Sequence, residues 1–310
     1  MNRFARLEQL VGSEQMRRLK TARVTVCGLG AVGGFAVEAL ARAGVGCLRL
    51  VDFDTLQATN LNRQILALAS TLGMSKTDVA RQRIGQIHPD CQVELRNAFV
   101  DAATVHALLD PAPDAVIDAI DGVNSKVELL AAVQGRGLFS VSSMGAACRL
   151  DPSAIRVADI SGTTVCPLAR IVRRRLHRRG IFEGIRCVFS IEAPREPCTG
   201  SDTAMEPAVR GRQRQPLGSI SYLPAIFGLT AAAEVLRHLL GETLADPKPS
   251  WNAGGGRFFP PLEGCKGSAE SPCRADGLNR GSESGARDPG RCSSGKAAES
   301  VRPPRGRSSA

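Results

Sequence analysis

The chain has 310 residues, 43% of them apolar, enough to bury a sizeable core in one large domain. Ten scattered cysteines with no C-x-x-C pair argue against a disulfide framework, and a polar, charged N-terminus argues against a secretory signal, so a reducing cytoplasm is expected. The net charge of +10 suits a polyanionic partner.

In chain order, Met16 to Leu19 reads as the end of a short helix. Val24, Val26 and Cys27 then form a short apolar run with the look of a buried strand. Gly28-Leu29-Gly30-Ala31-Val32-Gly33 comes at once, then a helix from Gly34 to Ala43, then a second apolar run, Leu48 to Val51, that ends in Asp52. Strand, glycine turn, helix, strand and acid make a nucleotide-binding βαβ unit. Gly28 permits the tight turn, Gly30 lets the backbone approach a phosphate, and Gly33 lets the helix pack close to the sheet. The helix N-terminus offers amides and partial positive charge to an anion. Asp52, nineteen residues after Gly33, is placed to hold ribose hydroxyls.

The residues just past Asp52 are unusual for a dinucleotide site. Asp54 doubles the acid, and Asn60-Leu61-Asn62-Arg63-Gln64 comes next. A triphosphate has use for such a stretch: Arg63 can fork onto phosphate oxygens and Asn60 can donate to them. The plainer alternative is a polar loop with a helix cap. An NAD-dependent oxidoreductase or a non-catalytic nucleotide sensor is the reading these residues weigh against.

The stretch from Arg23 to Gln64 resembles the ThiF, MoeB and HesA superfamily of ATP-dependent adenylating enzymes, relatives of the ubiquitin-activating enzymes. Within it, residues from about Arg3 to Glu192 are most similar to the tRNA threonylcarbamoyladenosine dehydratases, with a weaker echo from Ile220 to Leu240. The resemblance implies an α/β fold, a Rossmann-like doubly wound and mostly parallel sheet. It implies ATP and Mg2+ as cofactors and a homodimer. It also implies a site of Arg6, Asn60, Arg63, Lys76 and Asp121, with Gly28, Gly30, Gly33, Asp52, Asp54 and Asn62 around the nucleotide. Arg6, with Arg3 as fallback, matches an arginine that reaches across a dimer interface to the ATP phosphates. Lys76 matches a phosphate-contacting lysine, and Asp121 the aspartate that holds magnesium. Many sulfur-carrier activators of the superfamily hold zinc with two C-x-x-C pairs, which this chain lacks. The implied reaction is adenylation of the carboxylate of threonylcarbamoyladenosine, in the anticodon loop of tRNA, followed by ring closure with loss of AMP. The alternative is adenylation of the C-terminus of a ubiquitin-like or sulfur-carrier protein. An accessory protein of sulfur-transfer type is a further partner to be considered.

Beyond Gln64, Asp78 to Ile87 reads as an amphipathic helix closed by His88-Pro89. Val93 to Leu95 and residues around Phe99 suit a third strand, Thr104 to Leu109 a helix, and Ala115 to Ile117 a buried strand ending in Asp118-Ala119-Ile120-Asp121. Asp118 is expected to anchor the adjoining loop, and Lys126 stands where the family is often basic. Val127 to Val133 suits a helix and Leu138 to Ser142 a strand, whose Ser142 to Ala147 turn should line the nucleotide side. Leu168 to Arg179 carries Arg170, Arg173, Arg174, Arg175, Arg178 and Arg179 around an apolar stripe. It reads as an exposed helix able to meet tRNA phosphates, or else as an ordinary solvated face.

Cys187 reads as a core cysteine. Cys166 and Cys198 lie in expected loops. Ser221 to Leu240 is one long apolar helix, but its uninterrupted run is too short for a membrane span, so burial or an interface is expected. The expected organisation is an arm at 1–22, an adenylation domain at 23–193, a mobile crossover loop at 194–218, a closing helix and strand at 219–263, and a disordered basic tail at 264–310.

Overall fold

The computed structural model describes residues 2–196 and 217–242, all within the compact unit Met1–Trp251. Two short helices, α1 (Ala5–Val11) and α2 (Ser13–Thr21), precede β1 (Arg23–Cys27). The chain continues through α3 (Gly33–Arg42), β2 (Cys47–Val51), α4 (Lys76–Ile87), β3 (Gln92–Arg96), α5 (Val105–Leu108), β4 (Ala115–Asp118), α6 (Val123–Gly135) and β5 (Phe139–Ser143). It then adds β6 (Ile155–Asp159), α7 (Pro167–His177), β7 (Arg186–Ser190) and α8 (Tyr222–Leu239).

The seven strands form one sheet in the order β3-β2-β1-β4-β5-β7-β6, parallel except where β6 runs against β7. Consecutive parallel strands need crossover helices, and these cover both faces. On one face α3, α4 and α8 pack over Val24, Val26, Leu48, Leu50 and Ile117. On the other, α5 and α6 pack over Val51 and Val116, and α7 packs beside α6 against Cys187 and Phe189. Strand order reverses between β1 and β4, which opens a crevice at their C-terminal ends. This is the doubly wound, mostly parallel fold that the sequence predicts.

Several local expectations shift. Phe99 lies past β3 and meets Phe53 edge to face, with ring centroids 5.2 Å apart. The apolar run of β2 hides Arg49, fully buried, which reaches Glu94 on β3 at 2.8 Å and donates to the carbonyls of Leu108 and Pro111. The basic helix ends at His177, so Arg178 and Arg179 lie beyond its last turn. One face of the long apolar helix is buried: a Cβ on Gly228 would sit 2.2 Å from the Val32 carbonyl oxygen, so α8 presses directly on the start of α3. Among the described residues no helix is long and apolar enough to cross a membrane. Most of the expected crossover loop, the closing strand and the tail lie outside the described residues.

Candidate active site

The crevice is built from strand ends. Gly28, at φ +89°, turns the chain off β1, where a side chain would meet the Ala119 carbonyl at 2.7 Å. A Cβ on Gly33 would lie 1.7 Å from the Gly28 oxygen, so the turn closes on itself only with glycine there. Gly30 differs. A Cβ there would meet only Gln64 Nε2, at 3.9 Å, and would otherwise fill the cradle itself. No side chain caps α3, which leaves its N-terminal end for an anion.

Asp52 ties this turn to β2. It accepts the Leu29 N–H at 2.6 Å and the Asp54 N–H at 2.9 Å. Burial pushes its carboxyl above the usual aspartate range, against the pull of Lys76 and of those two N–H groups. Asp54 is exposed and holds the buried Lys76 ammonium at 2.8 Å. Asn60 is buried, and its Oδ1 accepts the Gln57 N–H at 3.0 Å. Its amide nitrogen has no partner among the described residues. Arg63 donates to the Thr59 carbonyl and to Asn62 Oδ1, both at 2.8 Å, and Asn62 donates to the Ser219 carbonyl at 3.2 Å. Asn62 therefore orients Arg63 and links it to the entry of α8. Gln64 received no role from the sequence, yet it is buried with Oε1 unpartnered and Nε2 beside Gly30. Its place next to Arg63 in the motif was the available signal.

At β4, Asp118 is fully buried and grips Lys126 Nζ at 2.6 Å, Ser142 Oγ at 2.6 Å and the Ile120 N–H at 3.1 Å. Lys126, also fully buried, is thus a brace between β4 and β5. Asp121, three residues farther on, is exposed with no hydrogen bond or ion pair among the described residues. No group of three or more His, Cys, Asp or Glu among the described residues could hold a metal unaided. A lone free carboxylate beside a phosphate cradle still fits Mg2+, which takes one or two carboxylates and fills its sphere with phosphate oxygens and water.

The chain matches the ThiF family over residues 2–255. The chain belongs to the ThiF family. It is 39% identical over 245 residues to the tRNA threonylcarbamoyladenosine dehydratase of Bacillus subtilis, covering 78% of this chain and 96% of that protein. It is 34% identical over 252 residues to the Escherichia coli enzyme of the same name, covering 77% and 94%. The solved structure of the Escherichia coli enzyme, TcdA, in complex with ATP superposes with a TM-score of 0.69 at 33% identity, covering 77% of this chain and 94% of that one.

Two features of this ThiF-family chain lie off the crevice. The first is the arm. Phe4 lies against Gly44, just past the C-terminal end of α3, and against His88, so α1 sits at the end of α3 opposite the glycine turn. Arg6 is exposed there with no side-chain partner among the described residues, about 15 Å of helix from the cradle. Arg3 is engaged instead with the Ile87 carbonyl at 2.9 Å.

The second is the arginine-rich segment, whose six guanidiniums divide evenly. Arg173 donates to the Thr163 side chain and carbonyl, Arg175 to Asn124, and Arg179 pairs with Glu128, which holds the Glu128 carboxyl low. Arg170, Arg174 and Arg178 are exposed and have no such partners among the described residues. Arg170 and Arg174 stand one turn apart on α7, a rise of about 6 Å, and Arg178 follows just past its end. Of the cysteines, Cys166 lies in the loop just before α7, as expected, but is buried in one cluster with Met144. Cys187 is a core residue whose thiol burial pushes well up. Cys198 lies outside the described residues.

Proposed function

We propose that this chain is an ATP-dependent tRNA threonylcarbamoyladenosine dehydratase. The observation that carries the reading is the phosphate cradle at the switch point, in a chain that spans nearly the whole length of relatives bearing that name. ATP lies with its phosphates over Gly28 to Gly33 and its ribose against Asp52. Asn60, Arg63 and Lys76 hold the phosphates, Lys76 exchanging its hold on Asp54 for a phosphate oxygen. Asp121 would hold Mg2+, which neutralises charge on the departing pyrophosphate. The substrate carboxylate attacks the α-phosphorus, pyrophosphate leaves, and a group within the modification then displaces AMP and closes the ring.

The active unit is a homodimer. Arg6 is supported as the residue supplied to the second copy's site, because its own crevice lies beyond its reach. The anticodon arm of tRNA runs along Arg170, Arg174 and Arg178. The enzyme works in the cytoplasm, and an accessory protein of sulfur-transfer type is its further partner. The adenylation domain runs over 23–193 and the arm lies at 1–22.

Activation of a carrier protein is the second reading, and the lack of C-x-x-C pairs counts against it. The test is incubation with ATP, Mg2+ and tRNA carrying threonylcarbamoyladenosine, followed by mass analysis of the nucleosides. Loss of the mass of one water with release of AMP is expected. Unchanged nucleoside, with ATP–pyrophosphate exchange stimulated by a small carrier protein, would overturn the reading.

A further inference from the structure

The turn after β5 contains a buried cation that the proposed adenylation does not use. Arg149 is 3% exposed, and no carboxylate lies within 4 Å of it among the described residues. Its guanidinium donates to three backbone carbonyls: Gly145 at 2.6 Å, Ala147 at 3.3 Å and Glu192 at 2.9 Å. Its Nη2 is buried with no partner among the described residues. A buried guanidinium without a counter-charge is costly, so its retention calls for a reason.

The carbonyls supply one. In a trans peptide the C=O of one residue and the N–H of the next point in opposite directions. Arg149 draws the Gly145 carbonyl toward itself and thereby turns the Ala146 N–H away. Gly145, Ala146 and Ala147 are all half-buried, and none of their N–H groups makes a hydrogen bond among the described residues. The neighbouring Cys148 N–H, by contrast, is taken by the Gly218 carbonyl at 2.8 Å. An unpaired backbone amide can donate to an anion, and of these three the Ala146 N–H is the one that Arg149 turns outward. It stands at the C-terminal end of β5, next to β4, and the Ser142–Asp118 bond at 2.6 Å joins the two strand ends. The turn is therefore on the crevice side of the sheet, one strand beyond the Asp121 loop.

We propose that the Ala146 amide is an oxyanion donor for the acyl oxygen of the substrate carboxylate, with Arg149 as the positioning residue that keeps that N–H outward. The inference rests on the dehydratase reading. During ring closure the internal nucleophile bonds to the acyl carbon and its proton is lost to solvent. The acyl–oxygen bond to AMP breaks, and its electron pair leaves with AMP. Negative charge on the acyl oxygen peaks between these events, and the fixed Ala146 amide stabilises it.

The test compares Arg149→Lys, Arg149→Gln and Ala146→Pro with wild type, reading cyclised nucleoside, KM for ATP and thermal unfolding. Proline removes the Ala146 N–H itself. Ala146→Pro and Arg149→Gln are expected to lower kcat about 100-fold with KM for ATP unchanged. Arg149→Lys, which can still donate to the carbonyls, is expected to recover much of that loss. Arg149→Gln turning over at a rate close to wild type would overturn the positioning role. So would losses in Arg149→Gln and Arg149→Lys that only track their unfolding temperatures. A wild-type protein that produces no cyclic nucleoside would instead sink the dehydratase reading.

Discussion

The two halves of the crevice rim carry opposite chemistry. Between β2 and β4 the rim is acidic: Asp52, Asp54, Asp118 and Asp121 all stand at or just past strand ends, and the nearby cations Lys76 and Lys126 are each held by one of these acids. From β5 onward the rim offers amides without partners and an Arg149 guanidinium without a carboxylate partner, and the α7 segment, off the crevice, adds three arginines with no partner, all among the described residues. The acidic half suits a nucleotide that brings its own metal. The cationic half suits a large anion whose charge the protein does not supply. Affinity for ATP and affinity for RNA should therefore fail separately.

The largest expected effect is on the acidic half. Asp121→Ala is expected to lower kcat at least about 100-fold, since metal-assisted stabilisation is lost. Asp121 is exposed and makes no bond among the described residues, so the unfolding temperature should stay within about 2 °C of wild type. Near-normal turnover in a magnesium-dependent assay would remove Asp121 from the site. Subunit exchange comes next. An equal mixture of Arg6→Ala and Asp121→Ala chains should regain about a quarter of wild-type activity, because half the dimers are mixed and each has one whole site. No recovery after verified exchange would rule out an arginine supplied across the interface.

On the cationic half, the split among the arginines gives a sharper contrast. Changing Arg170, Arg174 and Arg178 together to Gln should flatten the log–log salt dependence of tRNA binding, by about 0.7 to 0.9 for each phosphate they had neutralised, with stability unchanged. Changing Arg173, Arg175 and Arg179 instead should lower stability, because their bonds to Thr163, Asn124 and Glu128 are removed. Equal salt slopes for the two triple variants would mean that the stripe is not the RNA face.

The smallest effect is the pH response of Asp52. Burial raises its folded-state carboxyl above the unfolded value, so its ionisation disfavours folding at all pH values above the unfolded one. Lowering the pH through the raised value removes that penalty. Asp52→Asn, neutral throughout, should thus be at least as stable as wild type at neutral pH, with the difference vanishing in acid, while its ATP affinity falls. A clear loss of stability at neutral pH would show that the bonds to the Leu29 and Asp54 N–H groups outweigh the burial of charge.

The same contrast separates what is legible in the sequence from what is not. The glycine turn, Asp52 and the Asn60 to Gln64 stretch are close together in the chain, and their spacing alone brings them to one crevice. The βαβ order likewise makes the parallel sheet legible. Arg149 and the divided arginine stripe depend on partners distant in the chain. Glu192 lies 43 residues from Arg149, and Glu128 lies 51 from Arg179. No local pattern marks a guanidinium as bonded or open. Arg49 in β2 is the same case, since a strand pattern cannot announce its Glu94 partner on β3.

The pressure of Gly228 on Val32 bears on how the protein is made. Leu223, Phe227, Ala231 and Val235 of α8 complete the core over α3, β4 and β5, although most of the described chain separates them from the glycine turn. During synthesis the phosphate turn and its helix emerge early and wait, with one apolar flank uncovered, until Leu239 has left the ribosome. A chain cut short before α8 would therefore carry the glycine turn and the strand ends of the crevice with no finished core to hold them.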